Sequence, residues 1–104
     1  MKNNKIYSLL GLAKRSRHLV SGEFMVDKSI KDGQARLVIV GCDASNNTKK
    51  QFRNSCDFYH VPYYEYGDKD MLGAAIGCEQ RATVAVTDAG FTKSLIGLLE
   101  GDKQ

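Results

Sequence analysis

Apolar residues recur at helical spacing in five segments of this chain. In the first segment, Ile6, Leu9, Leu10 and Ala13 fall at i, i+3, i+4 and i+7, which is one face of an α-helix. Capping residues and glycines bracket the later segments. The pattern predicts a first helix over residues 4–17 with Asn3 or Asn4 as its cap, and a second from Gly22 to about Asp32 with Gly33 as its stop. A third helix runs from a cap within residues 45–48 through Phe52, Cys56 and Tyr59. A fourth runs from Asp68 through Met71, Leu72, Ala75 and Ile76 to Gly77, and a fifth is lined by Phe91, Leu95, Leu98 and Leu99.

Four shorter segments have the character of β-strands. Residues 36–40 are rich in β-branched side chains and apolar on both faces, as in a central strand covered by helices above and below. The others are a short extended piece at 18–20, residues 61–66 with Pro62 at the start or at a sheet edge, and residues 83–87. Helices and strands alternate without a repeat or a linker. We therefore predict one α/β domain over residues 1–104, a three-layer α-β-α sandwich around a mixed sheet of about four strands.

The basic residues are unevenly distributed. Fifteen Lys and Arg against twelve Asp and Glu leave a net charge of only +3 in 104 residues, which does not by itself indicate nucleic-acid binding. The chain before Glu23, however, contains no acid and five basic residues, namely Lys2, Lys5, Lys14, Arg15 and Arg17.

This basic segment leads to a helix that begins on a glycine, Gly22. Such a helix start offers free backbone N–H groups and the positive end of its dipole, with no side chain to keep an anion away. Lys28 follows a little over one and a half turns later and can reach back along the helix. The pattern favours a phosphate-bearing partner, and the alternative is a helix start with solvated lysines around it.

Three cysteines, Cys42, Cys56 and Cys78, lie far apart and form no CxxC pair. This spacing indicates neither a disulfide framework nor a zinc site and fits a reducing cytoplasm. The chain opens on no signal segment and has no apolar run near the ~18 residues that span a bilayer. We therefore expect a cytoplasmic protein with no membrane partner, metal, cofactor or small-molecule substrate.

Two aspartates, Asp43 and Asp88, each follow a predicted strand. The carboxyl ends of strands are where open α/β sheets place their sites, so this pair could hold magnesium or accept a phosphoryl group. Each also stands near a helix start, where a carboxylate accepts backbone N–H bonds, and we favour that capping role. The chain has neither a GxGxxG turn nor a GxxxxGK[ST] loop, the usual cradles for dinucleotides and nucleoside triphosphates.

Other polar side chains offer weaker chemistry. Cys42 could be a nucleophile only with His18 or His60 as its base, and a small buried cysteine is the simpler interpretation. His60 has no second ligand at metal spacing and is interpreted as a turn residue. Tyrosines could stack on bases, but we assign them to the core or its rim; these are Tyr59, Tyr63, Tyr64 and Tyr66.

Several segments carry a resemblance in combination rather than singly. They are LLGLA at 9–13, VSG at 20–22 with Lys28, GQARLVIV at 33–40, DAS at 43–45 with TKK at 48–50, VP at 61–62, LGAAIG at 72–77 and VAVTD at 84–88. In that order they resemble the ribosomal L7Ae/L30e family of kink-turn RNA binders, and most closely its bacterial YlxQ-type members. The resemblance covers nearly the whole chain and implies an α-β-α sandwich.

The resemblance also implies a site at the second helix. Family members set the N-terminus of this helix into the widened major groove of a kinked RNA, beside tandem sheared G·A pairs. Gly22 and Lys28 match the first and last positions of the archaeal motif Gly-x-Asn-Glu-x-x-Lys. Phe24 and Met25 stand at its Asn and Glu positions, so the side chains that read guanine edges in that branch are absent. Glu23 lies about 200° around the helix from the motif's Glu position and is a first-turn acid favoured by the helix dipole.

In the family a loop near the fourth helix and the last strand touches a flipped-out nucleotide. Here that loop is the polar segment Cys78-Glu79-Gln80-Arg81, where archaeal relatives carry apolar residues. Arg81 is expected either to stack on a base or pair with phosphate, or to be a solvated loop arginine.

We therefore expect a non-enzymatic, monomeric RNA-binding protein, associated with the ribosome or translation, that clamps kinked RNA mainly through phosphates. Lys28 would donate to guanine acceptors, and Gly22 would let the backbone approach phosphate. One alternative is a protein-binding or ribosome-docking module that uses Phe24 and Met25 as apolar contacts, and another is the Asp43 and Asp88 metal or phosphoryl site. The expected RNA-binding residues are Lys14, Arg15, Arg17, Gly22, Glu23, Phe24, Met25, Lys28, Asp43, Glu79, Gln80 and Arg81.

Overall fold

The computed structural model describes residues 4–101, with only the backbone of Asn4. Helices and strands alternate along this region, as the hydrophobic pattern predicts. The predicted cap Asn3 and the basic residue Lys2 lie outside the described residues. The elements are α1 (Asn4–Arg15), β1 (Leu19–Ser21), α2 (Glu23–Lys31), β2 (Leu37–Val40), α3 (Asn46–Tyr59), β3 (Tyr63–Glu65), α4 (Lys69–Ala75), β4 (Thr83–Val86) and α5 (Ala89–Gly101).

The four strands form one mixed sheet in the order β1-β4-β2-β3. β4 runs antiparallel to both β1 and β2, whereas β2 and β3 are parallel. Every residue of the two central strands, β2 and β4, is buried. The two-sided apolar run at 36–40 therefore is a central strand, as predicted, and Pro62 stands just before the edge strand β3.

Helices cover both faces of this sheet. On one face α1, α4 and α5 bury Leu10, Leu72 and Leu95 against the β2 residues Leu37 and Ile39. On the other face α2 and α3 bury Ile30 and Phe52 against the alternate β2 residues, Val38 and Val40. The predicted three-layer α-β-α sandwich is confirmed. None of the helices within residues 4–101 is long and apolar enough to cross a membrane.

The helix ends follow the predicted stop signals. Gly33 (φ 79°) and Gly77 (φ 73°) lie just past the ends of α2 and α4 in left-handed conformations that favour glycine. α1 ends at Arg15, two residues before its predicted end, and Arg17 takes the left-handed conformation with φ 65°. His60 does the same after α3 with φ 60° and is a turn residue, as predicted.

Three burial predictions are wrong. Cys42 is exposed because β2 ends at Val40, which leaves this thiol beyond the sheet. Met71 is exposed because it lies in the first turn of α4, where Leu72 faces the core instead. Tyr59, the last residue of α3, is exposed and packs edge-on against Phe58.

Cys56 and three of the tyrosines are buried or half-buried. Cys56 is buried, and desolvation raises the pKa of its thiol to about 12. Tyr66 lies in the core, and Tyr63 and Tyr64 are half-buried at its rim, as predicted. Burial, together with a hydrogen bond to Glu65, raises the pKa of Tyr63.

Candidate nucleic-acid interface

The expected site residues divide between the two ends of the sheet. Gly22 N donates to Thr83 O where β4 begins, whereas Thr87 N donates to His18 O where β4 ends. We call these the Gly22 end, made of residues 21–25, 41–45, 67–70 and 78–82, and the Arg17 end, made of residues 14–18, 32–36 and 87–88. Backbone hydrogen bonds join the parts of each end: Gly41 to Ala82 and Arg81 to Lys69 at the first, Arg36 to Val86 at the second.

The N-terminus of α2 is open. Its N-cap is Gly22, with φ 90° and ψ 150°, which has no side chain to accept a hydrogen bond from the first turn. In contrast, Ser45 caps α3, Asp68 caps α4 and Asp88 caps α5, each through a side-chain oxygen. The first-turn N–H groups of α2 therefore remain available to an anion, as the sequence predicts. A Cβ at Gly22 would meet no atom within 4 Å, so the backbone conformation, not crowding, requires glycine.

Arg81 brings the predicted contact loop to this helix start. Its Nε donates to Ser21 Oγ at 3.1 Å, one residue before Gly22, and a second guanidinium nitrogen donates to Gln80 O at 2.9 Å. The sequence did not indicate this contact of Ser21 with Arg81, because it joins residues 60 positions apart. Arg81 is thus partly buried and oriented rather than a freely solvated loop arginine.

The rest of the loop is held by α4. Gln80 Nε2 donates to Asp70 Oδ1 at 2.7 Å, and Cys78 N donates to Gly73 O at 2.8 Å. A Cβ on Gly73 would lie 2.0 Å from Glu79 O, so only glycine lets the loop pack against the helix there. The loop is therefore positioned by backbone contact and by two polar side chains.

Exposed apolar side chains surround the open helix start. Phe24 is 78% exposed and Met25 is 45% exposed, although both lie in the first turn of a well-packed helix. Glu23 accepts a hydrogen bond from Thr48 Oγ1 at 3.2 Å and thereby joins α2 to the start of α3. Glu23 is a first-turn acid, as predicted, and Thr48 is a neighbour that the sequence did not indicate.

Lys28 lies further along α2, on the side that faces the edge strand β1. Its Nζ lies 2.7 Å from Asp32 Oδ2, an exposed pair one helical turn apart. Together with Val20, Met25 and Gln34 it lines a surface cleft of about 260 Å³. Asp32 and Thr87 line the same cleft, so the ammonium of Lys28 lies toward the Arg17 end of the sheet and not at the start of α2.

The three basic residues Lys14, Arg15 and Arg17 do not surround Gly22. They lie next to His18, at the opposite end of β1, because α1 ends there and the strand then runs back across the sheet. With a rise of about 3.3 Å per strand residue, the separation between residues 18 and 22 is roughly 13 Å. The structure therefore places the positive charge of these residues at the Arg17 end and not around the start of α2, where we expected it.

The Gly22 end itself is rich in carboxylates. Asp43, Asp68 and Asp70 all accept hydrogen bonds here, beside the cations Lys69 and Arg81. Asp43 Oδ1 accepts from Lys69 N at 2.9 Å, so it adds to the Asp68 cap of α4 and does not cap α3, the helix that follows it in sequence. Asp43 is a capping residue, as favoured, but of a helix that only the tertiary structure brings to it.

Asp43 and Asp88 cannot share a ligand. Asp43 follows β2 and Asp88 follows β4, and these two strands are antiparallel, so the aspartates stand at opposite ends of the sheet. The sequence argument assumed that both strands end at one edge, which holds only for parallel strands. Among residues 4–101, no group of three His, Cys, Asp or Glu side chains could hold a metal ion. The paired metal or phosphoryl site is therefore wrong.

Proteins that are similar in sequence to this chain include proteins named as RNA-binding and as ribosomal. The chain is 46% identical over 100 residues to the RNA-binding protein YlxQ of Bacillus subtilis (strain 168), covering 96% of this chain and 100% of the relative. It is 30% identical over 94 residues to the large ribosomal subunit protein eL8 of Thermoplasma volcanium, covering 89% of this chain and 78% of that protein.

Solved structures of other proteins share this fold. A protein described as of unknown function from Bacillus halodurans C superposes with a TM-score of 0.89 at 44% identity, over 92% of this chain and 97% of that one. A Giardia lamblia 15.5kD RNA binding protein superposes with a TM-score of 0.81 at 20% identity, over 96% and 88% of the two chains, which shows the shared fold.

The family model covers most of the chain. The model described as the ribosomal protein L7Ae/L30e/S12e/Gadd45 family matches residues 4–96. This range contains the open start of α2, the contact loop at 78–82 and all four strands. It is a family of ribosomal and RNA-binding proteins rather than of enzymes, and this chain is not an enzyme. The chain belongs to the ribosomal protein L7Ae/L30e/S12e/Gadd45 family.

Proposed function

We propose that this protein binds RNA at the Gly22 end and there recognises a kinked RNA with sheared G·A pairs, in association with the ribosome or translation. The observation that carries the proposal is the open N-terminus of α2 beside the oriented guanidinium of Arg81. Backbone N–H groups and an arginine fork both suit phosphate oxygens. The family membership and the names of the relatives support RNA as the partner.

Recognition at this end relies on positioned donors and exposed faces. The charges of the neighbouring carboxylates work against simple accumulation of RNA, so the groups that bind it must be oriented ones. Phe24, which is 78% exposed at the helix start, offers a stacking face to an unpaired base. RNA at the helix start competes with Asp32 for the ammonium of Lys28, since this exposed pair exchanges at little cost.

The test compares two lysines of α2. Lys28 pairs with Asp32 and Lys31 pairs with Asp27, each one turn apart, and the two side chains are 58% and 57% exposed. Only Lys28 lines the cleft that begins at Met25. Lys28→Ala should weaken binding to a kink-turn RNA by about 1–3 kcal/mol, the value of a charge-assisted contact. Lys31→Ala should change it little.

The same pair of variants is measured on RNA whose G·A pairs are replaced. Lys28→Ala should lose discrimination between the two RNAs, and Lys31→Ala should keep it. Equal binding curves for both variants would contradict the assignment of Lys28, and failure of the wild-type protein to prefer the kink-turn RNA would contradict kink-turn recognition itself. Lys50, exposed on α3, serves as a third lysine outside α2.

A docking module is the second candidate function. The exposed Phe24 and Met25 favour it, because apolar side chains clustered at a helix start are typical of protein contacts. Phe24→Ser should then release the protein from ribosomal particles in sedimentation while its affinity for isolated kink-turn RNA is unchanged. A parallel loss of RNA affinity would assign Phe24 to the RNA interface instead.

A further inference from the structure

The Arg17 end carries positive charge that forms no ion pair with the part of the chain that the structure describes. None of Lys14, Arg15, Arg17 and Arg36 pairs with a carboxylate of residues 4–101. The two acids of this end have other partners, since Asp32 pairs with Lys28 and Asp88 caps α5. Lys14 and Arg15 lie in the last turn of α1, where cations are favoured by the helix dipole. Arg17 and Arg36 lie outside the helix and have no such explanation.

Backbone pairing places Arg36 in one row with His18, the residue after Arg17. Arg36 N donates to Val86 O and Thr87 N donates to His18 O, so residues 36, 87 and 18 stand side by side, each next to the end of its strand, β2, β4 and β1. Neighbouring strands are about 4.8 Å apart, so Arg36 and His18 are separated by roughly 10 Å across the sheet end. The exposed side chains of Arg17 and Arg36 can therefore contact the same strand of a nucleic acid.

Arg17 holds a backbone conformation that disfavours arginine. Its φ of 65° places it in the left-handed region, at the position after α1 where helices usually have glycine. Within residues 4–101 the only other such residue that is not glycine is His60, which follows α3 in the same way. Glycine can therefore replace either residue without strain, which makes Arg17→Gly a substitution that removes the charge and leaves the backbone conformation intact.

We propose that the Arg17 end is a second RNA-binding surface, at which Lys14, Arg17 and Arg36 contact the phosphates of an RNA segment distinct from the one at the Gly22 end. The proposal rests on the proposed RNA-binding function but not on kink-turn recognition. Because these contacts are ionic and carry no base information, binding at this end is insensitive to sequence and strongly dependent on salt. The protein thereby joins two RNA segments across the sheet.

The test measures two RNAs on one protein. The full chain is saturated with unlabelled kink-turn RNA, and a short fluorescent RNA duplex without bulges is added while anisotropy is recorded at several salt concentrations. The duplex should still bind. Arg17→Gly should weaken duplex binding roughly two- to fivefold and lower the slope of log affinity against log salt by about 1. The affinity of this variant for kink-turn RNA should stay that of the wild type.

His60→Gly is the matched control, because it relieves the same backbone conformation without removing a permanent positive charge. Both variants should melt at or above the wild-type temperature, and His60→Gly should bind the duplex like the wild type. Arg36→Gln, which leaves the strained position untouched, should weaken duplex binding as Arg17→Gly does.

Two results would overturn the proposal: complete displacement of the duplex by kink-turn RNA, or equal duplex affinity of Arg17→Gly, Arg36→Gln and His60→Gly. If the wild type fails to prefer kink-turn RNA but its duplex binding still depends on Arg17, the proposed kink-turn function fails and the second surface is supported.

Discussion

The two ends of the sheet differ in how they present positive charge. At the Gly22 end the donors are backbone N–H groups of an uncapped helix and the guanidinium of Arg81, held by Ser21 and the Gln80 carbonyl. Carboxylates crowd the same end, and hydrogen bonds occupy them. At the Arg17 end the donors are side chains without ionic partners among the described residues.

This difference shows that a similar number of basic residues can be presented to a ligand in two physically different ways. Oriented donors suit the recognition of one RNA geometry, because their directions are set before the RNA arrives. Unpaired arginines suit any phosphate strand, and salt weakens them. Substitutions that affect only one end of the sheet test this difference.

The largest effect is expected from Gly73→Ala, which acts on the Gly22 end. The new Cβ would lie 2.0 Å from Glu79 O and 2.6 Å from Glu79 C, so the backbone of the loop must move. We expect the free energy of unfolding to fall by about 3 kcal/mol, at the upper range of overpacking substitutions. Affinity for kink-turn RNA should fall with it, while duplex binding by folded protein should persist. Urea unfolding and anisotropy measure the two effects.

Gly97→Ala provides the control for that substitution. Gly97 lies within α5, and a Cβ there meets no atom within 4 Å. Alanine should raise the free energy of unfolding by about 0.5–1 kcal/mol and leave both RNA affinities unchanged. Normal kink-turn binding by Gly73→Ala would show that the loop at 78–82 does not contact the RNA.

An intermediate effect is expected from Gly22→Ala. The space for a Cβ is open, but φ 90° with ψ 150° is a region that essentially only glycine occupies. The substitution should cost about 1–2 kcal/mol of unfolding free energy and should weaken kink-turn binding by displacing the first turn of α2. Circular dichroism on heating and titration with both RNAs check it. A variant as stable as the wild type would contradict the strain at this position.

The smallest effects are expected from Asp43→Asn and Asp88→Asn, one at each end. Each aspartate accepts a backbone N–H, from Lys69 and from Phe91, and asparagine caps about as well. Unfolding free energies should change by about 0.5 kcal/mol or less. Removing the negative charge should modestly favour kink-turn RNA in Asp43→Asn and the duplex in Asp88→Asn. If the wild type hydrolysed phosphate esters and either variant lost that activity, the non-enzymatic assignment would be contradicted.

The elements and the buried faces of the central strands followed from short-range pattern. The alternation of helices and strands, the two-sided apolar run at 36–40 and the glycine stops at Gly33 and Gly77 each depend on residues within a few positions of one another. Local periodicity reports which face a helix or strand buries, and a glycine after a helix reports a left-handed turn. The open start of α2 at Gly22 belongs to the same class of information.

Strand direction and the neighbours of each loop were decided only by the tertiary structure. The antiparallel pairing of β2 with β4 separated Asp43 from Asp88 and gave Asp43 the first N–H of α4. The short strand β1 carried Lys14, Arg15 and Arg17 away from Gly22, and the approach of β4 to β1 brought Arg81 to Ser21. These contacts join residues far apart in the chain, so they form only when the sheet is assembled. No periodic pattern in the sequence corresponds to them, and a sequence analysis based on periodicity does not find them.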